Sequence, residues 1–217
     1  MQKPLLISFY TKDTIYEKEV EDLAASCKAL GVDSCIEGRE DLGSWDRNCC
    51  QKPLFILECM EKFKRPLLWV DADAILLHKV TLSYEEADLA LYFNDRSSHD
   101  ARSATIYIAF SERAKGFVAE WYDACLSELA KGKPVPYADQ SVISHLLRKS
   151  SGVRVADLPL EYASIFDRDP LPLDKIAILH FQASRTALMP RLMWEKISGA
   201  QLKAMRMGSA LAQKNNF

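Results

Sequence analysis

Leu67-Leu68-Trp69-Val70-Asp71-Ala72-Asp73-Ala74-Ile75-Leu76-Leu77 decides how this chain is read. Four apolar residues run into two carboxylates one residue apart, and apolar residues resume at once. After Arg65-Pro66, such a run reads as a buried strand of a parallel sheet. Asp71 and Asp73 then fall at its carboxyl end, where open α/β sheets place their ligands. Two carboxylates with little water around them repel each other, and each is costly to desolvate. A divalent cation relieves both, and hard cations such as Mn²⁺ or Mg²⁺ take oxygen ligands. On a solvated loop or a helix cap the same Asp-x-Asp is commonplace, so the rest of the chain has to supply company for it.

Working outward, Pro4 to Tyr10 reads as a strand. Asp13 or Thr14 caps the helix that follows, whose apolar Tyr16, Val20, Leu23, Ala24, Cys27 and Leu30 repeat at three and four before Gly31 closes it. Val32 to Ile36 is a second strand and the polar Glu37 to Asn48 a loop. Lys52 to Phe63 is a helix with Phe55, Ile56, Cys59, Met60 and Phe63 on one face. Beyond the Asp-x-Asp strand come a strand at Leu89 to Phe93, a polar loop from Asn94 to Ser103, and a strand from Thr105 to Phe110. Ser111 caps a helix from Ala114 to Lys131, and Asp139 to Lys149 forms another. Val153 to Val155 and Ile176 to Phe181 are the last strands. Strands alternating with helices define an α/β layered fold with a mostly parallel sheet flanked by helices.

Bulk properties narrow the function. A chain of 217 residues fits a single domain and buries about 70% of its unfolded surface, so it needs no staples. Its net charge of −2 gives no reason to expect nucleic acid as the partner. No apolar run reaches the ~18 residues of a membrane span, and no signal peptide is evident at the N-terminus. The six cysteines show no C-x-x-C spacing; they read as reduced thiols, several of them small core residues, which points to a cytoplasmic protein.

The last strand ends in Leu179-His180-Phe181-Gln182-Ala183-Ser184-Arg185. If all strands are parallel, His180 shares an edge with Asp71 and Asp73, and two carboxylates plus an imidazole suit Mn²⁺ or Mg²⁺. A strand-end histidine that is merely buried is the plainer alternative. Arg185 is placed to bond phosphate. Asp139, opening a helix, either caps it or aims into the cleft.

With these residues in order, the chain resembles the nucleotide-diphospho-sugar transferases of the GT-A fold, a Rossmann-related architecture, in particular the glycogenin- and galactosyltransferase-like group with its Asp-x-Asp motif. The shared order runs over residues 4 to 185: the strand into Tyr10-Thr11, a Tyr-containing helix, Trp45 and Lys52-Pro53, the Leu-Trp-Val-Asp-Ala-Asp strand, Asp139-Gln140, Leu158-Pro159 and His180-Phe181. The resemblance implies that Ser8, Tyr10 and Thr11 hold the nucleotide and that Asp71, Asp73 and His180 chelate the metal on the diphosphate. It implies that Asp139 and Gln140 face the transferred sugar and that Lys52 lines the donor pocket. Ala183 and Arg185 stand where the family has Gly and Lys near the phosphates, and Ser103-Ala104-Thr105 lacks a glycine the family tends to have.

The activity so implied is metal-dependent transfer of a sugar from a nucleotide diphosphate sugar, a UDP-sugar foremost, to an acceptor hydroxyl, with retention favoured over inversion. The acceptor, whether glycan, lipid-linked or protein, is left open. Asn94, Asp95 and His99 on the polar loop are further candidates for sugar or acceptor contact. Residues 186–217 read as a basic C-terminal helical extension, with Trp194 among its apolar residues. Such a tail either packs on the domain or lies on an anionic membrane surface. Two rival readings remain: the Asp-x-Asp of haloacid-dehalogenase-like phosphatases, whose first Asp is a nucleophile, and a non-catalytic nucleotide-sugar-binding domain.

Overall fold

A computed structural model describes residues 2–135, 137–149 and 152–183. The expected basic extension and Arg185 lie outside these residues.

The chain runs β1 (Leu5–Thr11), α1 (Ile15–Leu30), β2 (Ser34–Arg39), α2 (Trp45–Cys49), α3 (Lys52–Phe63), β3 (Leu67–Val70), β4 (Ala74–Leu76), β5 (Leu89–Asp95), β6 (Asp100–Ile108), α4 (Glu112–Leu129), α5 (Ala138–Lys149), β7 (Val155–Asp157), β8 (Ser164–Ile165) and β9 (Ile178–His180). Six strands form one sheet in the order β2-β1-β3-β6-β5-β7. β1 pairs in parallel with β2 and β3, and β5 with β7, while β6 runs antiparallel between β3 and β5. The sheet is therefore mostly parallel, as expected, with one reversed strand.

Alternation along the strands sorts side chains into two cores. Leu5, Ile7, Phe9, Leu67 and Trp69 pack with α3, α4 and α5 on one face. There Phe55 meets Phe9 and Trp69 edge-on and those two rings are tilted against each other, with centroids 5.3 to 6.0 Å apart. Leu6, Leu68 and Val70 face the other way, onto Val20, Leu23 and Cys27 of α1. Burying each such aliphatic side chain is worth roughly 1.5–3 kcal/mol. The Thr14 hydroxyl caps α1 by accepting from the Tyr16 N–H, and Gly31, at φ +62°, closes it in the left-handed conformation that costs glycine least.

Three expectations change. The Asp-x-Asp stretch is not one strand: the chain leaves the main sheet at Asp71 and resumes as β4 in a second sheet of order β4-β9-β8. β9 runs antiparallel to β4 there, with His180 opposite Ala74, so His180 does not stand on the edge of the main sheet. The polar segment at 94–103 is largely a hairpin rather than a loop. Its strands extend to Asp95 and from Asp100 because polar side chains pair across it, Asn94 donating to Asp100 at 3.0 Å. Finally, the loop expected after residue 37 contains the end of β2 and the short helix α2.

Candidate active site

The site forms where β3 gives out. Asp71 still bonds the main sheet through its N–H, which donates to Ala104 O at 2.9 Å. Its Oδ1 accepts from the Trp69 indole at 2.8 Å and lies 3.0 Å from Lys52 Nζ. Lys52 enters from the first turn of α3, where Pro53 occupies a position that needs no N–H. Its ammonium is only 5% exposed and also meets Asp139 Oδ2 at 2.8 Å, Ser103 O at 3.1 Å and Ser103 Oγ at 3.3 Å. Three N–H donors thereby face four acceptors, so nothing is left over for a diphosphate. Lys52 organises the carboxylates; this geometry does not make it a phosphate ligand.

Asp139 turns inward instead of capping α5. Its side chain is 5% exposed, and Oδ2, without an aligned hydrogen bond, is held by the ion pair. Its carbonyl accepts from the buried Trp121 indole at 3.1 Å, which fixes the helix start. Tyr137 and Ala138 just before it have φ of 55° and 43°, a left-handed pair that is costly for residues with a Cβ. The Tyr137 ring is 75% exposed. Burial alone would push Lys52 down, but Asp139 and Asp71 more than reverse this and hold it well above its ordinary value. Burial raises Asp139, against the pull of Lys52.

Asp73 is buried at the crossing between the sheets. Its Oδ2 accepts from the Ala183 N–H at 2.6 Å, and its carbonyl accepts from the Phe181 N–H at 2.8 Å, so the exit of β9 wraps around it. Burial first and the charge of Asp71 second push its carboxyl up to about 7. Tyr16 of α1 stands close by: burial, then Asp73, raises its phenol, whose oxygen accepts from the Trp45 indole at 3.2 Å. His180 is fully buried, with Nε2 2.8 Å from Thr105 Oγ1 and Nδ1 without a partner. Burial, then the charges of Arg102 and Lys52, lowers it to about 3, so the imidazole is neutral.

Among the described residues no three His, Cys, Asp or Glu side chains are gathered as a ready-made metal cluster. Asp73 is a buried carboxyl made unfavourable as an anion by Asp71, a condition that a bound cation would relieve, whereas the His180 ring faces Thr105 and feels the charges of Arg102 and Lys52.

The remaining expected residues divide. Tyr10, at the end of β1, lays its ring on Gly38 of β2; a Cβ at 38 would stand 2.9 Å from that ring, so a larger residue would displace it. Thr11 is buried beside it, and its carbonyl accepts from Thr14 Oγ1. Ser8 lies inside β1, fully buried, with an unpartnered hydroxyl. Gln140 is partly exposed next to Asp139. Asn94 and Asp95 sit in the hairpin, where Asn94 joins Asp100 to Arg102 and Asp95 accepts from Ser97. His99 forms the turn, at φ 55°.

The sequence reading gave no site role to Trp69, Ser103, Thr105, Tyr16 or the Arg102–Asp169 pair. The indole of Trp69 had a signal, since residues two apart on a strand share a face. Ser103 and Thr105 had none, because only the pairing of β6 against β3, Val70 opposite Thr105, brings them to the site.

The fold is a mixed α/β sheet flanked by helices, with a buried carboxylate–lysine centre where β3 ends. No protein-family model and no curated protein sequence matches the chain. It is similar to the crystal structure of a glycosyltransferase involved in the glycosylation of the major capsid of PBCV-1, with a TM-score of 0.64 over 85% of this chain and 95% of that one, at 18% identity. At that identity the likeness is one of fold.

Proposed function

We propose that this protein is a metal-dependent glycosyltransferase that moves a sugar from a nucleotide diphosphate sugar, foremost a UDP-sugar, to an acceptor hydroxyl. The observation that carries the reading is the buried Asp73 carboxyl, paired with Asp71 where β3 ends and held up to about 7. Strongly shifted, poorly solvated carboxyls of this kind mark functional sites. The fold shared with a known glycosyltransferase agrees with it.

Asp71, Asp73 and His180 would hold Mn²⁺ or Mg²⁺, which supplies Lewis-acid stabilisation of the negative charge that gathers on the departing diphosphate. The chain's own groups do the rest. Tyr10 and Thr11 line the nucleotide end, and Lys52 keeps Asp71 and Asp139 fixed without itself moving. Breaking the anomeric bond builds positive charge on the sugar, which the carboxylate of Asp139 and the amide of Gln140 face. Because Asp139 is locked onto Lys52, it is a poor base for the acceptor hydroxyl, and retention is favoured. Arg185 adds a cation for the phosphates. No helix among the described residues is long and apolar enough to cross a membrane.

The test is nucleoside diphosphate release from a panel of sugar nucleotides with Mn²⁺, Mg²⁺ or EDTA. Metal-dependent UDP release from one donor, abolished in Asp73→Ala, is the expected result. Release of inorganic phosphate instead would indicate a phosphatase, and metal-dependent nucleotide binding without release a binding domain; either refutes the proposal.

A further inference from the structure

The end of the main sheet opposite Asp71 carries groups that the proposed transfer does not use. Leu67 at the start of β3 and Leu89 at the start of β5 both stand opposite Ile108, the last residue of β6. The segments leading into β3 and β5 therefore flank the chain as it leaves β6, and between them lies a cleft of about 470 Å³. Small-molecule sites run from about 300 to 1,000 Å³. The four residues of β3 separate this cleft from Asp71, about 13 Å at ~3.3 Å per residue. It is distinct from the carboxylate–lysine centre.

The cleft has an aromatic wall. The rings of Tyr84 and Tyr107 have centroids 5.0 Å apart and planes tilted by 51°. Both phenols are spent on backbone, Tyr84 donating to Asp157 O at 3.1 Å and Tyr107 to Tyr84 O at 3.5 Å. Ring surface, not hydroxyl, is left for a ligand. Leu82 and Pro66 add apolar surface, and Phe110, 48% exposed, borders it.

Strand order separates the charges. Lys64 and Arg65 precede β3, Glu85 precedes β5, and β6 lies between, so the two ends stand about 10 Å apart. Lys64 is exposed, and the nearby acid Glu61 is bonded to Lys115 instead. Arg65 donates from Nη2 to Lys3 O at 2.6 Å, its buried Nε has no partner, and its carboxylate neighbour Asp33, 3.7 Å from Nη1, is exposed to screening water. Two incompletely answered cations thus face one acid.

We propose that this cleft is a second ligand site, for a small planar aromatic acid: its ring lies against Tyr84 and Tyr107, and its acid group meets Lys64 and Arg65. Tilted and offset contacts are the favoured geometry between rings, and cationic donors bond an acid oxygen more strongly than neutral ones do. Glu85, at the far end, accepts from a donor on the ring. The site is independent of metal and of sugar transfer.

The probe is 4-aminobenzoate, a flat ring with a carboxylate at one end and an amine at the other. In ¹H–¹⁵N NMR titration of the full chain, the amides of Arg65, Ser83, Tyr84 and Phe110 are expected to shift saturably while those of Tyr10 and Asp71 stay in place. A Kd of ~1 mM is expected for a ligand of about ten non-hydrogen atoms. No saturable shift, or shifts centred on Tyr10 and Asp71, overturns the proposal. Aniline, which lacks the acid, and the exposed Lys64→Glu are each expected to weaken binding about 10-fold. Ala109→Leu, which fills part of the cleft, is expected to abolish it. Unchanged affinity in either folded variant, or equal binding of aniline, overturns the proposal; the aniline comparison uses the wild type and decides should a variant fail to fold.

Discussion

Lys52→Met removes a buried ammonium and keeps most of the volume of the side chain. Two carboxylates lose their cation. Asp71 is about a third exposed at its side chain and retains the Trp69 indole, so it loses little. Asp139 is 5% exposed and its Oδ2 has no aligned hydrogen bond besides that ion pair, so it bears most of the loss. Removing one partner of a buried pair costs about 3–5 kcal/mol, or roughly 6–20 °C in Tm for a chain of this size. Asp139 responds by binding a proton more readily, its folded pKa rising further above the unfolded value near 4. The cost is therefore present above pH ~4 and fades below it, where folded and unfolded states are both protonated. Urea unfolding at pH 8 and pH 4 measures this directly, with Lys52→Met/Asp139→Asn expected to recover most of the loss at pH 8. A loss under about 1 kcal/mol at pH 8, or no recovery in the double variant, would refute the view that Lys52 serves as the counter-ion of Asp139.

Other measurements bear on groups outside this centre. Asp169→Ala leaves the Arg102 guanidinium buried and is expected to cost about 3–5 kcal/mol, with Arg102→Met/Asp169→Leu losing much less, as seen by urea unfolding. Asp88 is fully buried and accepts from Ser111 Oγ, the Arg154 N–H, and Nε of Arg113 and Arg154, joining β5, α4 and β7. Burial pushes it up, but these donors outweigh burial and hold it at about 2. Its contribution of about 2 kcal/mol is present above pH ~4 and is lost as pH falls towards 2. Asp88→Asn is therefore expected to be less stable at pH 7 and to show a flatter acid unfolding curve between pH 4 and 2.

Much of this protein follows from local pattern. The apolar repeat from Tyr16 to Leu30 and its closing Gly31, the alternation of β1, and the short apolar run at 67–70 each report what one segment buries, and these elements appear where their patterns place them. The two aspartates were legible for the same reason, as carboxylates where an apolar run ends. What the pattern could not report is which segment lies beside which. β6 reverses between β3 and β5, and that register alone carries Ser103 and Thr105 to the end of β3. The apolar runs on either side of Asp71-Ala72-Asp73 look continuous, yet the chain crosses there into a second sheet and pairs with β9, which turns His180 inward onto Thr105. Lys52, Asp71, Ser103 and Asp139 are far apart in the chain, and each has an ordinary local reading as a helix start, a strand end or a cap. Their common centre exists because a buried ammonium needs several acceptors at once, and only packing around one point provides them.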